Sequence, residues 1–402
     1  MENKFYDKQL AAIIRLLEND YAGKALPNAL TAEDFRYYIQ ACGQAWKEHR
    51  LDALTQLRYV SQLLAVTGDR TLRLSLRTEG YTPWHAGIDV RRFGDDLYVT
   101  AVQGDDRFRP GDRLVQLNGT PAGLHRRGFQ RNFLYADEPE RELWGNVMKS
   151  VTHVLAEHVN GSREDLPLRR FTAPRLVPET ALTQCGDALL LTVGAPGDGE
   201  ALRQLTEAHA DALRQADRLI IDLRHSAGGE DDALLPLMPW ILNAPKTMNE
   251  ADGVHHLRTL YTRANAARRL AVLTPYAGDP DADALMTEIR AKAGAGWIDE
   301  ELTLWDDLPE VIRPAGHEVI LLTDTWTEGP AEAFALLAKK EGRATLLGRA
   351  TMGTLDMTGT LSVAVSDEFT LAYPTSVSLD ALDGNGFMRR GVQPDRTIPF
   401  TP

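Results

Sequence analysis

The spacing of apolar residues along the chain changes twice. The stretch MENKFYDKQLAAIIRLLENDYAG has the helical spacing of an amphipathic segment, and we expect the first 78 residues to be mostly helical. From Pro83 apolar and polar residues alternate and are interrupted by Gly-Asp, Pro-Gly and Asn-Gly turns, which predicts the short strands of a compact β-rich module over 79–160. From about residue 161 strands alternate with helices, as in DALLLTV, GEALRQLTEAHADALRQA and DRLIIDLR, which predicts an α/β core over 161–402.

The segment LLTDTWTEGPAEAFALL, residues 321–337, predicts a buried strand that leads into a helix. Pro330 suits the first helical position, because its missing amide hydrogen costs little there and its φ is already helical. Gly329 is an acceptable cap before it, and Gly342 is a typical C-terminal glycine. We therefore expect this helix to begin at Pro330 and to end at Gly342.

Composition and charge exclude some functions. The 402 residues are 43% hydrophobic and 25% charged, enough for two or three globular domains. A net charge of −13 and the absence of a basic run argue against a nucleic-acid surface. No stretch has the length of apolar residues that a membrane span needs, and the first residues lack a signal-peptide pattern, so we expect a cytoplasmic protein with no membrane partner. His255 and His256 have no further ligand at suitable spacing, and we expect no metal and no cofactor.

Four motifs occur in an order that resembles one protein family. GIDVRRFGDDLYVTAVQGDDRFRPGDRLVQLNGTP resembles the PDZ-like module of the C-terminal processing, or tail-specific, serine proteases. LIIDLRHSAGG is similar to their DLR-N-P-G-G strand and loop, and GVQPD is similar to their G-V-x-P-D end. Residues 318–354 fall where the family has its nucleophile helix and the following strand, and TGDRTLRL resembles the D-G-H-T stretch of the tricorn-like branch. The resemblance implies a helical N-terminal part, a PDZ-like β module and a crotonase-like α/β core.

The resemblance places the catalytic positions of the family on residues that lack the required chemistry. When TEGPAE is aligned with the nucleophile stretch T-A-S-A-A-E of the family, Gly329 falls at the position of the serine. Glycine has no hydroxyl and cannot act as a nucleophile. The lysine base of the processing branch is matched by Thr354, and the histidine base of the tricorn-like branch by Arg70. A threonine hydroxyl cannot replace a desolvated lysine amine as a base, and arginine stays protonated.

The family also implies an oxyanion hole with two backbone donors. One donor is a glycine amide of the loop that Gly228 and Gly229 match here. The other is the amide of the residue after the nucleophile, which is Pro330 and carries no amide hydrogen. Loss of one such donor typically costs about a hundredfold to a thousandfold in rate. Asp222 and Arg224 are expected to brace the glycine loop.

Other hydroxyls offer weaker candidates for a nucleophile. Thr325 and Thr327 lie near the junction, but neither reaches the matched position without a shift of register. Ser226 follows His225, and adjacent residues on a strand point to opposite faces, which disfavours a nucleophile–base pair.

We therefore expect a catalytically inactive homologue of the tail-specific proteases that binds peptides or the C-termini of unfolded proteins. His85, Gly87 and Ile88 begin the PDZ-like module, and the resemblance implies that this segment lines a peptide groove. Two alternatives remain open at this point. One is an active serine-type peptidase with a different catalytic register, and the other is a structural scaffold or interaction protein.

Overall fold

The fold is taken from a computed structural model, which describes residues 3–27, 40, 43–44, 47–48, 53–65, 67–77, 82, 84–124, 139–173, 176, 178–194, 199–224, 226, 228–229, 232–247, 254–303, 314–315 and 318–401. The helices are α1 (Asn3–Asn19), α2 (Ala53–Ala65), α3 (Trp144–Met148), α4 (Gly199–Ala208), α5 (Ala210–Gln215), α6 (Met238–Ile241), α7 (Arg263–Leu273), α8 (Pro280–Lys292), α9 (Pro330–Glu341) and α10 (Leu379–Leu382). Short 3-10 helices cover Ala22–Ala25, Pro139–Arg141, Leu235–Leu237 and Thr274–Tyr276.

The strands form three sheets within these described residues. In chain order they are β1 (Arg73–Leu76), β2 (Ile88–Phe93), β3 (Asp96–Val102), β4 (Arg113–Leu117), β5 (Thr120–Pro121), β6 (His153–Glu157), β7 (Arg163–Pro167), β8 (Ala181–Cys185), β9 (Ala188–Thr192), β10 (Arg218–Asp222), β11 (Val254–Tyr261), β12 (Gly296–Thr303), β13 (Glu318–Thr323), β14 (Ala344–Gly348), β15 (Met357–Ala364), β16 (Phe369–Ser378) and β17 (Arg396–Thr397).

The first sheet carries the strand–helix junction singled out in the sequence. Its order is β17-β14-β13-β10-β9-β8, and all neighbours are parallel except β8 and β9. Ile221 of β10 and Leu346 of β14 flank Leu321 of β13, and all three side chains are fully buried. Because the strands are parallel, β10 and β13 end at the same edge of the sheet. The loops after them therefore meet at that edge.

Strand β17 follows the GVQPD motif, which fixes the end of the chain to this sheet. Asp395 accepts a hydrogen bond from the amide of Leu346 at 2.9 Å and forms an ion pair with Lys339 at 3.1 Å. Partial burial opposes ionisation of this carboxyl, but the amide and the lysine together lower its pKa below the ordinary aspartate value.

The second sheet joins the two ends of the sequence. Its order is β1-β16-β11-β12, with β15 also paired to β16, and every pairing is antiparallel. Helices α1 and α2 cover it, and Leu63, Phe369 and Leu371 are fully buried between them. Strand β1 lies inside the region that we expected to be helical. Apolar and polar residues alternate in this segment, and Leu74 on its apolar face is buried in the core of the sheet. The domain boundaries at 78 and 160 stay predictions.

The third sheet is a separate β module, as the alternation predicted. Its order is β2-β3-β4-β6-β7, with β5 paired to β4, and its core includes Leu97, Leu114 and Trp144. The sheet extends to Pro167, beyond the predicted limit of the module. Its PDZ-like character stays a prediction.

An ion-pair and aromatic cluster connects β2 of the β module to the core. Arg91 pairs with Asp324 at 3.3 Å. The ring of Phe400 lies between two guanidinium groups, 5.7 Å from that of Arg91 and 5.8 Å from that of Arg349. The end of the chain is thereby placed against the edge strand of the module.

Candidate functional site

The junction between β13 and α9 has the expected helix boundaries and an unusual backbone. Helix α9 begins at Pro330 and is followed by Gly342 in the left-handed conformation, so both predictions are confirmed. Gly329 adopts φ 60° and ψ −126°, a conformation that side chains disfavour. In hydrolases the nucleophile often stands on such a sharp, strained strand-to-helix turn. Among the residues that the structure describes, a Cβ atom at Gly329 would meet only the Cα atom of Gly228, at 3.7 Å.

Thr354 lies directly beside Gly329. The amide of Gly329 donates to the Thr354 hydroxyl at 3.1 Å, and this hydroxyl donates to Glu332 at 2.8 Å. The structure therefore brings together the two residues that the sequence matched to the nucleophile and to the lysine base. The hydroxyl is held between an amide and a carboxylate, and each of those contacts fixes its orientation.

Glu332 is the buried centre of this arrangement. Its Oε2 atom accepts from the amide and the hydroxyl of Thr354, both at 2.8 Å. Its Oε1 atom accepts from the amide of Gly353 at 2.6 Å and from the Thr351 hydroxyl. Burial raises the pKa of this carboxyl, and the hydrogen bonds from Thr351, Thr354 and Gly353 oppose that rise. Four donors occupy the acceptor positions of the carboxylate, so Glu332 clamps the 351–354 loop to the first turn of α9.

Arg70 reaches the same loop through a second arginine. The Arg70 guanidinium donates to the backbone oxygen of Arg141 at 3.2 Å. The Arg141 side chain is fully buried and donates to the backbone oxygens of Thr351 and Met352, both at 2.7 Å. Arg70 is thus one residue removed from the loop that carries Thr354.

A further contact ties Arg70 to the residue before Gly329. The Arg73 side chain donates to the Arg70 backbone oxygen at 2.6 Å and to the Glu328 carboxylate at 2.9 Å. Three segments that are distant in sequence therefore meet around Gly329, Thr354 and Arg70. Arg73, Glu328 and Glu332 were not among the residues singled out in the sequence, where each looks like an ordinary charged residue of a strand or helix.

The glycine loop after β10 lies against the junction. The amide of Glu328 donates to the backbone oxygen of Ser226 at 3.1 Å, and Gly228 is the nearest neighbour of the Gly329 Cβ position. Gly228 and Gly229 have φ of 72° and 112°, which favour glycine. Arg224 donates to Asp222 from its Nε atom at 2.9 Å and from Nη2 at 2.6 Å, so these two side chains hold each other at the start of the loop.

The other hydroxyls near the junction hold backbone groups in place. Ser226 donates to the backbone oxygen of Val193 at 3.1 Å, and Thr327 donates to that of Leu223 at 3.0 Å. Thr325 is buried, and its hydroxyl makes no hydrogen bond with the part of the chain that the structure describes. His225 lies outside the described residues.

The three residues expected to line a peptide groove lie at the start of β2 or directly before it. Ile88 begins β2 and is buried. The amide of Gly87 donates to the Nδ1 atom of His85 at 3.1 Å, and the Nε2 atom of His85 lies 3.0 Å from the backbone oxygen of Ala173. This pattern assigns the hydrogen of the ring to Nε2. The imidazole therefore bridges two segments of the chain.

Comparison with known proteins then identifies the family. The sequence profile of Peptidase family S41 matches residues 196–398, which contain the glycine loop, Gly329, Thr354 and the GVQPD motif. The chain belongs to Peptidase family S41. The tail-specific protease resemblance is thereby confirmed.

Solved structures of low sequence identity support the fold of this S41 chain. The crystal structure of mature CPAF has a TM-score of 0.62 at 13% identity and covers 98% of this chain and 92% of its own. Mature CPAF complexed with lactacystin has a TM-score of 0.61 at 13% identity, with 98% and 93% covered. The photosystem II D1 C-terminal processing protease is also similar, with a TM-score of 0.41 at 15% identity and 92% and 94% covered. The α/β fold class is confirmed.

The described part of this S41 chain shows neither a metal-binding cluster nor a membrane-spanning helix. The described residues contain no group of three or more His, Cys, Asp or Glu side chains arranged to hold a metal ion. Within the same residues no helix is long and apolar enough to cross a bilayer. The cytoplasmic location stays a prediction.

Proposed function

We propose that this S41 chain is a non-catalytic homologue that binds peptides or the C-termini of unfolded proteins. The observation that carries the proposal is the junction at Gly329. Its backbone has the sharp turn on which a hydrolase presents a nucleophile, yet the residue has no side chain there. Because Gly329 carries no side chain, a chain bound at this junction would meet no attacking hydroxyl there.

The surroundings of Gly329 support the loss of proteolysis. Thr354, at the lysine position, is a neutral hydroxyl, and its neighbour Glu332 has its acceptor positions filled by four donors. Arg70, at the histidine position, is permanently charged. Pro330 supplies no amide to an oxyanion. A nucleophile, a base and one oxyanion donor are therefore missing together, and no single replacement restores the family mechanism.

Binding requires none of these groups. Extended chains add to a strand edge or lie in a groove through main-chain hydrogen bonds, and such contacts depend on backbone geometry. Gly228 lies beside the Cβ position of Gly329, and Gly228 and Gly229 both have the positive φ that favours glycine. Proteases of family S41 act on peptide or protein C-termini, and we infer that the same kind of chain is the partner here.

The chemical part of the proposal is tested with a fluorophosphonate probe and an unfolded protein substrate. An active serine hydrolase serves as the positive control in both assays. We expect no labelled residue and no cleavage products from this chain. Stoichiometric labelling that maps to a serine or threonine would show an active peptidase with another catalytic register.

The binding part is tested separately by fluorescence anisotropy with labelled unfolded proteins and a broad set of peptides. We expect weak, roughly micromolar dissociation constants, as is common for transient contacts of this size. If no chain binds across the whole set, the protein is a structural scaffold, and the peptide-binding proposal is wrong.

A further inference from the structure

The β module holds an aromatic ring between two glycines. A Cβ atom on Gly87 would lie 2.4 Å from the ring of Phe171, and one on Gly104 would lie 2.9 Å from the same ring. Both glycines have positive φ, 76° and 128°. The imidazole of His85 stacks on this ring with 5.9 Å between the centroids. We call the space bounded by His85, Gly87 and Gly104 the aromatic slot, because any side chain at either glycine would occupy it.

The segment that carries Phe171 forms one antiparallel β-bridge with His85, directly before β2. The amide of His85 donates to the backbone oxygen of Phe171 at 2.9 Å, and the amide of Phe171 donates to the backbone oxygen of His85 at 3.0 Å. Further along, the Gln103 side chain bonds both backbone groups of Leu176, accepting at 2.6 Å and donating at 3.2 Å. We call Phe171, Thr172, Ala173 and Leu176 the strap. Its contacts are the main-chain pairs and the single anchored side chain of a bound peptide.

The strap lies on the surface and outside the cores. Phe171 belongs to none of the hydrophobic cores formed by the described residues, and Leu176 is 70% exposed. Thr172 and Ala173 are exposed as well. The strap can therefore leave the slot without opening a core, at the cost of a few hydrogen bonds and the packing of one half-buried ring.

The slot does not have the chemistry of a carboxylate site. The amide of Gly87 already donates to the His85 ring, so it is not available to a chain terminus. The fully buried carboxyl of Asp105 lies below the same glycine, with its Cβ atom 2.9 Å from the Gly87 Cβ position. Arg107 pairs with Asp105 through two hydrogen bonds, at 2.7 and 2.5 Å. The Arg107 guanidinium is thereby already paired with a buried carboxylate.

We propose that the aromatic slot is a binding site for an internal, extended peptide segment with an aromatic side chain, and that the strap is an intramolecular ligand that such a partner displaces. The proposal rests on the proposed peptide-binding function. It adds that the bound chain is recognised by an aromatic side chain and not by a free C-terminus. A partner that needs the empty slot binds only the molecules in which the strap is displaced. Its apparent association constant is therefore the intrinsic one multiplied by the fraction of such molecules.

The test uses the full chain and a labelled peptide of its own sequence, LRRFTAPRLV, residues 168–177, with both ends blocked. Phe171→Ala empties the slot in the protein. We expect this variant to bind the blocked peptide with a dissociation constant of roughly 10 μM, and the parent protein to bind it at least about tenfold more weakly. The same peptide with alanine in place of phenylalanine is expected to bind neither protein.

Two matched variants keep the test decisive. Gly104→Ala added to Phe171→Ala places a Cβ atom inside the slot and is expected to abolish binding, with circular dichroism confirming that the fold is retained. Gln103→Ala loosens the strap, because it removes both hydrogen bonds to Leu176. It is expected to strengthen binding of a shorter blocked peptide, LRRFTA, residues 168–173, which lacks Leu176, and it carries the test if Phe171→Ala does not fold.

The two proposals fail in different ways. Equal binding of the blocked peptide by the parent and by Phe171→Ala, or binding that survives Gly104→Ala, would overturn the aromatic slot. The same is true if only peptides with a free C-terminus bind, although the proposed peptide-binding function would then stand. Absence of binding by every peptide to every variant would overturn both.

Discussion

Restoring a serine at the junction is expected to destabilise the protein. Gly329→Ser forces a side chain onto φ 60° and ψ −126°, where a residue other than glycine costs of the order of 1–3 kcal/mol. Steric clash with the described part of the chain adds little, because the nearest atom to the new Cβ there is the Cα atom of Gly228 at 3.7 Å. The expected loss is therefore backbone strain alone, about 1–3 kcal/mol.

The assay is thermal unfolding followed by circular dichroism, with Gly145→Ser as the matched control. Gly145 lies in α3 without a positive φ, and no atom of the described residues lies within 4 Å of its Cβ position, so the control adds the same side chain without strain. A domain of 150–250 residues loses about 2–4 °C in Tm per kcal/mol, which predicts a Tm about 2–12 °C lower for Gly329→Ser. The control should remain within about 1 kcal/mol of the parent, neutral or slightly stabilising. Equal stability of Gly329→Ser and the parent would refute the strained junction.

The same variant also tests the catalytic inference. Gly329→Ser alone should not cleave an unfolded protein substrate, because Thr354 and Arg70 cannot accept the serine proton and Pro330 leaves one oxyanion donor missing. Adding Pro330→Ala and Thr354→Lys restores an amide and an amine, and this triple variant is the smallest set expected to give detectable hydrolysis. Hydrolysis by Gly329→Ser alone would reveal an intact base and refute the inference that base and oxyanion donor are lost together with the nucleophile.

Three other predictions concern stability. Glu332→Gln should lower the free energy of unfolding in urea by about 1–3 kcal/mol, because the new amide hydrogens would face hydrogen-bond donors. The control Glu328→Gln, at the partly exposed ion pair with Arg73, should change it by less than about 1 kcal/mol. Equal losses in the two variants would contradict the role of Glu332 as a clamp. Asp395→Asn should be less stable than the parent at neutral pH. This difference in stability should vanish as the pH falls through the lowered pKa of Asp395, because both side chains are then neutral. A difference that persists in acid would exclude the charge of Asp395 as its cause. Phe400→Ala removes two cation–π contacts and should cost about 1–2 kcal/mol in thermal unfolding; an unchanged Tm would show that the end of the chain does not hold the module.

Local chemistry in the sequence predicted the junction well. The limits of α9 follow from the fixed φ of Pro330 and the left-handed conformation of Gly342, which are properties of single residues. The strands of the parallel sheet were visible as short apolar runs between turns. The match of Gly329 and Thr354 to one site came from the family resemblance, and the structure places them 3.1 Å apart through a hydrogen bond.

Long-range contacts could not be read in this way. Glu332 has the ordinary appearance of an acidic residue in the first turn of a helix, and only the fold brings the 351–354 loop onto it. The region between 243 and 314 matched no motif, yet β11 and β12 in it extend the second sheet and α7 packs beside them. Periodicity reports which face of a segment is buried and carries no information about which segment covers it.

The pairing of β1 with β16 sets a condition on how the chain folds. Ser75 and Thr370 are partners in this ladder although they are 295 positions apart. Contacts of such sequence separation form late, because a long loop has to close before they contribute. During synthesis, β1 emerges from the ribosome long before its partner and has to remain unpaired until then. A fragment that begins at residue 196 would expose the edge of β16, and such an edge invites pairing with other chains.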